Sequence, residues 1–568
     1  MPFLAQKCLP IPTKDILSWM YDNPLFDQDR PVHSPSTLAL YCSHYTNTRL
    51  QIYIDASNPT HHITAAQAHV LIRQLIAGFK HAGIQMGDVV LVHAFNSIYY
   101  PIIVLGIIGA GAIYTGTNPG YTRWEIEHAL KSSAAKMVIC DTEVLENGMS
   151  VAAEECGLSR EQILMLDDTT LHPPPQQAAD DKTSWRSLLM HGEADWQRFD
   201  ELETSRRTIA GLFFSSGTTG LPKLAKLSHY NLIAQHTLVF QANPRPYLLK
   251  RLIALPMFHA ATAPSTHFSP LRAGQQQIVM RRYEPRSFLE MAEKHAITDL
   301  TLVPPQVTSM LAVPLTKAEK RRMLASVRWA VGGAAHLDAT TQKHFQDLLP
   351  PGSPFTQIWG MTEVSCFGSI FPWPEIDDTG SVGKFLSNLD VKLLDDDGKD
   401  ITNFDVRGEL AVRGPTITSG YVGVARERDF DSEGYFRTGD VLYCDSRTRL
   451  WYIVDRKKEL IKVRGFQVAP AELEGVILEC PGVADVAIIG VNGGVGNEEV
   501  PRAYVVKGKD EELTEQQVKS WVEAKLAKYK RLDGGVVFVP AIPKSPSGKI
   551  LKRVLKEEMT ELATRAKL

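Results

Sequence analysis

Between the apolar segment 211–214 and Leu224 the chain reads Ser215-Ser216-Gly217-Thr218-Thr219-Gly220-Leu221-Pro222-Lys223, a cluster of hydroxyls, free backbone amides and one cation. Such a composition wraps a polyphosphate. Gly217 and Gly220 let the backbone approach phosphate oxygens, the serines and threonines add donors, and Lys223 supplies a point charge. It is not a Walker A loop, which needs Gly-Lys followed directly by Ser or Thr and then a helix; here Pro222 precedes Lys223 and Leu224 follows it. Four more polar clusters follow: Gln357-Ile358-Trp359-Gly360-Met361-Thr362-Glu363, Tyr435-Phe436-Arg437-Thr438-Gly439-Asp440, the charged run from Asp455 to Gln467, and Pro546-Ser547-Gly548-Lys549. Read singly, Asp440 is a turn former, Glu363 a helix-start carboxylate and Trp359 a core aromatic.

Taken in this order, the five motifs closely resemble the adenylate-forming superfamily of acyl-CoA synthetases, luciferases and peptide-synthetase adenylation domains. Gly465-Phe466-Gln467-Val468-Ala469-Pro470 is most similar to the 4-coumarate-CoA ligase branch. The resemblance implies attack of a carboxylate on the α-phosphate of ATP, with Mg2+ present, and then transfer of the acyl group to CoA. It places Ser215, Ser216, Gly217, Thr218, Thr219, Gly220 and Lys223 on the β- and γ-phosphates. Gln357, Trp359, Gly360, Met361 and Thr362 would bind the nucleotide, Trp359 stacking on adenine where the family more often has Tyr. Glu363 would hold the magnesium ion beside the α-phosphate, and Asp440 and Arg456 the ribose.

By the same resemblance Lys549 stabilises charge during adenylation. Rotation at Lys458 would withdraw it and present Lys462, Arg464, Gly465 and Gln467 for thioester formation, Gly465 leaving room for a pantetheine arm. The acyl pocket would be built from His259, Ala260, Ala261, Gly332, Gly333, Ala334 and Ala335. Amino-acid-activating relatives carry Asp where His259 stands, and no acidic residue occurs from Pro256 to Pro270, which disfavours an α-amino acid. Ala260 and Ala261 stand where phenolic-acid ligases often carry bulk, so a wider pocket is expected. His336 replaces the family's usual proline, and Leu224 its usual glycine. The implied activity is an ATP-dependent acid-CoA ligase acting on an aryl, arylalkyl or medium-chain acid. A luciferase-like monooxygenase and a stand-alone enzyme loading a carrier protein share these motifs and stay open.

The elements that must position these residues are legible in the periodicity. From His62 to Gly83, Ala68, Leu71, Ile72, Leu75 and Phe79 recur on one helical face, and Gly83 suits a left-handed cap. A strand is expected at 88–93, a buried helix at 97–111 within the apolar stretch 101–114, and a strand at 135–140, an alternation that builds a parallel sheet. Residues 171–204 read as a polar surface excursion with Pro173-Pro174-Pro175. After Glu363, strands at 391–394, 408–413 and 450–454 suggest a small β-rich unit, with Asp440 on a Thr-Gly-Asp turn. Further on, strands at 483–491 and 502–506 precede a helix opened by a Thr514/Gln517 capping box. The expected fold is α/β: a large N-terminal domain, 1–455, of two α/β sheet subdomains plus a small β-barrel-like subdomain, then a small mobile α+β domain, 456–568, hinged at 456–459.

Composition narrows the partners. At 568 residues the chain exceeds a single core. A net charge of −3 with 44% hydrophobic residues argues against nucleic acid as a partner. The seven cysteines are odd in number and scattered without a Cys-x-x-Cys pair, which suggests neither a disulfide framework nor a zinc site. No apolar run reaches membrane-spanning length, and Met1–Pro12 lacks a secretory pattern. The terminal Ala566-Lys567-Leu568 resembles the Ser-Lys-Leu peroxisomal address, so an import receptor and a peroxisomal location are expected.

Overall fold

The computed structural model describes residues 3–5, 7–22, 24, 50–167, 183–215, 222–335, 337–463, 466–492, 499–508, 512–526, 528–545, 550–552 and 554–555. Two mostly parallel sheets form the bulk of the molecule. In the first, the order is Ile163–Leu166, Met137–Asp141, Val89–His93, Ile113–Thr117, Ile209–Ser215 and Lys223–Ser228, with only the last strand antiparallel. In the second it is Phe355–Gln357, Trp329–Gly332, Asp299–Leu302, Lys250–Ile253, Gln276–Val279, Gln51–Asp55 and His62–Thr64, again with one antiparallel edge.

The helix Ala65–His81 opens with a Thr64/Gln67 capping box, and Gly83 follows it at φ +81°. Its core face lies on the fully buried helix Tyr100–Gly109. Gly106 makes that packing possible, because a Cβ there would stand 2.6 Å from the Leu75 Cβ. The expected helix is shorter than 97–111: Gly111 turns at φ +83°, and Ile113 and Tyr114 already belong to the next strand.

Two further expectations are corrected. Residues 168–182 lie outside the described residues, but the remainder of the supposed surface excursion is partly core: Trp185 is fully buried in a 3-10 helix, Trp185–Met190, and Trp196 is nearly so. Large indoles outweigh a charged local composition. The Thr-Gly-Asp segment is not a turn between elements but the middle of a nine-residue strand, Phe436–Cys444. Gly439 takes φ +74° within it, and the pairing register slips on either side, which disguised a strand as a turn.

The β-rich unit is an open antiparallel ladder of Asp390–Leu394, Gly408–Arg413, Phe436–Cys444 and Trp451–Arg456. Its last strand runs on to Arg456, so the chain leaves this sheet in the turn at 457–459. Beyond it, the hairpin Ile461–Val463/Phe466–Val468 leads to the helix Pro470–Leu478. A sheet of Val483–Asn492, Glu499–Lys507 and Val536–Phe538 follows. The helix Glu515–Lys525 covers that sheet and carries the expected Thr514/Gln517 capping box. No described helix is long and apolar enough to cross a membrane.

Candidate active site

The polyphosphate-type run begins and ends on two paired strands. Ser215 ends one strand of the first sheet, Lys223 begins its antiparallel neighbour, and the two residues pair directly. Ser216, Gly217, Thr218, Thr219 and Gly220 lie outside the described residues. Lys223 extends its ammonium over the ring of Tyr421, 4.8 Å from the centroid.

Tyr421 also reaches the motif that carries Glu363. Gly360–Met361 pairs with Cys366–Phe367 around a short 3-10 turn, Thr362–Val364, and the return uses left-handed backbone at Ser365 and Cys366. This tight reversal buries Glu363 to 2% exposure. The Tyr421 hydroxyl donates to its Oε1 at 2.6 Å, while Oε2 is buried and without a partner among the described residues. A buried carboxylate oxygen with an open lone pair suits one ligand position on a hard cation. No group of three His, Cys, Asp or Glu side chains among the described residues could hold a metal by itself. The single Glu363 oxygen fits Mg2+, which typically takes one or two carboxylates and completes its shell with substrate phosphate and water.

Asp440, 6% exposed, is held from two sides. Arg456, its pairing partner on the neighbouring strand, places Nε 3.0 Å from Oδ1, and Trp359 Nε1 donates to Oδ2 at 2.8 Å. The Asp440 carboxylate, foremost, holds the Arg456 guanidinium above its ordinary range. Trp359 is itself only 3% exposed and meets Phe385 edge-on, so most of its ring belongs to the core. Gln357 spends its amide N–H groups on Leu337 O and Gln342 Oε1, so that end of the side chain braces the start of the helix Ala339–Gln346 and the segment before it.

The residues expected to form an acyl pocket follow the ends of two strands of the second sheet, Lys250–Ile253 and Trp329–Gly332, which flank Asp299–Leu302. After Lys250–Ile253 the chain passes through Phe258 and His259, whose Nδ1 accepts from the Ala261 amide at 3.1 Å, leaving the ring proton of the neutral imidazole on Nε2. Ala260 is buried and Ala261 half-buried. Gly332 ends its strand and Gly333 follows against Ile358, where a Cβ would lie 2.7 Å away, and Ala334 turns at φ +71° before Ala335. Cys366 donates its thiol to Ala261 O at 3.0 Å, tying the Glu363 reversal to this wall.

A cleft of about 420 Å³ opens where the C-terminal ends of both sheets face each other. Its walls include Asn96, Phe258, Arg281, Arg282 and Gln306, and the second domain contributes Lys544 and Ser545. Arg282 lies 3.9 Å over the Phe95 ring, Arg281 5.2 Å from it, and both pair with Glu143.

At the domain junction Lys457 pairs with Glu409 at 3.1 Å, and Lys458 is exposed in the turn. Lys552 pairs with Glu459 at 3.2 Å and Glu474 at 3.3 Å. Burial pushes the Asp455 carboxyl beside them up to about 6. Lys462 and Gln467 face each other across the hairpin as backbone only. Arg464, Gly465, Lys549, Ala566, Lys567 and Leu568 lie outside the described residues.

The structure thus brings together Lys223 and Glu363 through Tyr421, and Trp359 with Asp440 and Arg456. Tyr421, Cys366 and the Arg281/Arg282 pair were not singled out from sequence. Only the adjacent arginines carried a local signal, a doubled cation directly after a buried strand.

Residues 42–422 match the AMP-binding enzyme family, and residues 472–549 match the AMP-binding enzyme C-terminal domain. The chain belongs to this family. It is 48% identical over 563 residues to a phenylacetyl-CoA ligase of Aspergillus niger, covering 99% of this chain and 100% of the relative. It is 33% identical over 507 residues to 4-coumarate–CoA ligase 3 of Arabidopsis thaliana, covering 87% of this chain and 86% of the relative. The fold is also that of ATP-bound MatB from Rhodopseudomonas palustris, with a TM-score of 0.79 at 24% identity over 96% of this chain and 99% of that one.

Proposed function

We infer that the chain is an ATP-dependent acid–CoA ligase. A carboxylate oxygen attacks the α-phosphorus of ATP and pyrophosphate leaves. The thiol of CoA then attacks the acyl carbon and AMP leaves. One observation carries the reading furthest: the cleft between the two sheets has Ser545 of the second domain in its wall, four residues before Lys549. Residues of both domains therefore line one cleft.

Within that reading, Lys223 and the Ser/Thr/Gly run before it neutralise the leaving pyrophosphate, and Asp440 with Arg456 anchors the ribose. Mg2+ bound with the nucleotide would add Lewis-acid stabilisation of phosphate charge, with Glu363 Oε2 as its protein ligand. Lys549 offsets charge developing at the α-phosphate. Arg281, Arg282 and Lys544 line the cleft with cations suited to an anionic thiol donor.

The acid we propose is aryl, arylalkyl or medium-chain, with an arylalkyl acid favoured by the likeness to the phenylacetyl-CoA ligase and by the small, apolar Ala260 and Ala261. The test is a pyrophosphate-exchange screen over aromatic, arylalkyl, fatty and amino acids, followed by CoA-dependent AMP release on the hits. Exchange with arylalkyl acids and CoA-dependent AMP release without oxygen uptake support the reading. Oxygen consumption would favour a luciferase-like reaction, and fastest exchange with an amino acid would overturn the acyl-pocket assignment.

A further inference from the structure

Asp440 and Trp359 stand 81 residues apart and belong to different subdomains, yet the indole N–H points straight into the carboxylate at 2.8 Å. Nothing about the ring is free to drift. Its backbone N–H donates to Ser369 Oγ, its carbonyl accepts from Gly368 N, and Phe385 meets it edge-on with centroids 5.5 Å apart. On the opposite side the ring lies against bare backbone, for a Cβ on Gly368 would come within 2.3 Å of it. An indole has a single donor and no acceptor, so a ring clamped this way offers one directed hydrogen bond.

The carboxylate needs such a guide. Asp440 follows Gly439 at φ +74° in a distorted stretch of strand, where the regular ladder does not dictate the side-chain direction. Arg456 fixes Oδ1, and one contact alone would leave the carboxylate plane free to rotate about it. The indole contact on Oδ2 removes that freedom. Each oxygen keeps a second lone pair, and the two point in a defined plane. A pair of vicinal hydroxyls is the ligand group that such an arrangement fits.

We propose that Trp359 is a positioning residue for nucleotide recognition: its indole N–H orients the Asp440 carboxylate so that it reads both ribose hydroxyls of ATP. The role rests on the acid–CoA ligase reading and adds to it a hydrogen bond that a phenylalanine at the same place could not make. The indole therefore acts through Asp440, whatever edge of its ring also touches adenine.

The experiment compares ATP with 2′-deoxy-ATP in pyrophosphate exchange for the wild type, Trp359→Phe, Asp440→Asn and the double variant, using an acid from the screen. In the wild type, ATP is expected to be preferred by at least roughly tenfold, the worth of one hydrogen bond to a charged group. Trp359→Phe should raise KM for ATP, leave KM for the acid unchanged and shrink that preference roughly tenfold. In the Asp440→Asn background the same change should have no further effect on the preference. A cavity left by the smaller ring lowers the amount of folded enzyme and affects both nucleotides alike, so the ratio isolates positioning from stability. An unchanged ratio in Trp359→Phe, or equal use of both nucleotides by the wild type, overturns the proposal while leaving the ligase reading standing. Absence of exchange with every acid would instead defeat the ligase reading itself.

Discussion

Tyr421 donates its hydroxyl hydrogen bond to Oε1 of Glu363 at 2.6 Å, which leaves Oε2 without a partner among the described residues. The same ring carries the Lys223 ammonium on its face. One aromatic side chain therefore sets the spacing between the Lys223 ammonium and the Glu363 carboxylate.

Tyr421→Phe keeps the ring and removes the proton donor. A hydrogen bond to a charged acceptor contributes about 1.5–3 kcal/mol. The Mg2+ concentration giving half-maximal pyrophosphate exchange should rise by at least roughly tenfold, while the KM for the acid stays put. A magnesium titration of both enzymes checks this, and coincident curves would show that Glu363 orients itself without Tyr421.

The two half-reactions should separate genetically. On the proposed assignment Lys549→Ala removes a cation that offsets developing negative charge, an effect of about 3–4 kcal/mol, or roughly two to three orders of magnitude in rate. Supplied acyl-AMP should bypass that loss. Lys458→Pro stiffens the exposed turn at 457–459, so exchange should persist while thioester formation from acyl-AMP and CoA collapses. Both partial reactions measured in both variants decide the matter; a Lys549→Ala enzyme equally slow from acyl-AMP would refute the division.

Filling the acyl wall should narrow it. Ala261 is half-buried and its carbonyl accepts from Cys366, so on the proposed assignment Ala261→Tyr adds a ring at the acyl pocket while that backbone acceptor is kept. Larger acids should lose kcat/KM before smaller ones, each methylene excluded from burial costing about 0.8 kcal/mol. A chain-length series of aryl and fatty acids, assayed by exchange, gives the comparison.

Asp455 links pH to stability at the domain junction. Burial raises its folded-state value from the ordinary carboxylate range to about 6. Between those two values the folded protein holds a proton that the unfolded chain has released, so this group's contribution falls as pH rises through the window and is lowest above 6. Asp455→Asn should therefore melt at a higher temperature than the wild type at pH 7, with the gain fading to nothing by about pH 4. Thermal melts at both pH values test the sign. Lys552 works the other way: the nearby Glu474 and Glu459 hold its ammonium above the ordinary range, so its stabilising charge persists through neutral pH.

Sequence motifs reported local chemistry well and three-dimensional partnership poorly. The Ala65–His81 helix was legible because its apolar face repeats within one element. The Tyr421–Glu363 and Trp359–Asp440 contacts join residues 58 and 81 positions apart and leave no periodic trace. Asp440 was read as a turn because Thr-Gly-Asp is turn chemistry locally, whereas pairing on both sides keeps it in a strand. Trp185 was read as surface because its neighbours are charged, although one buried indole outweighs them.

The thiol of Cys366 leaves the molecule with a built-in spectroscopic reporter. Burial pushes its ionisation far up, so the sulfur stays protonated and its hydrogen is spent on the Ala261 carbonyl. An S–H stretch absorbs in an infrared region that amides and carboxylates leave clear, and its frequency follows the strength of the bond it donates. A difference spectrum between the wild type and Cys366→Ser picks this band out from the chain's other thiols, and an acid that presses on Ala261 is expected to shift it, without a dye or a turnover.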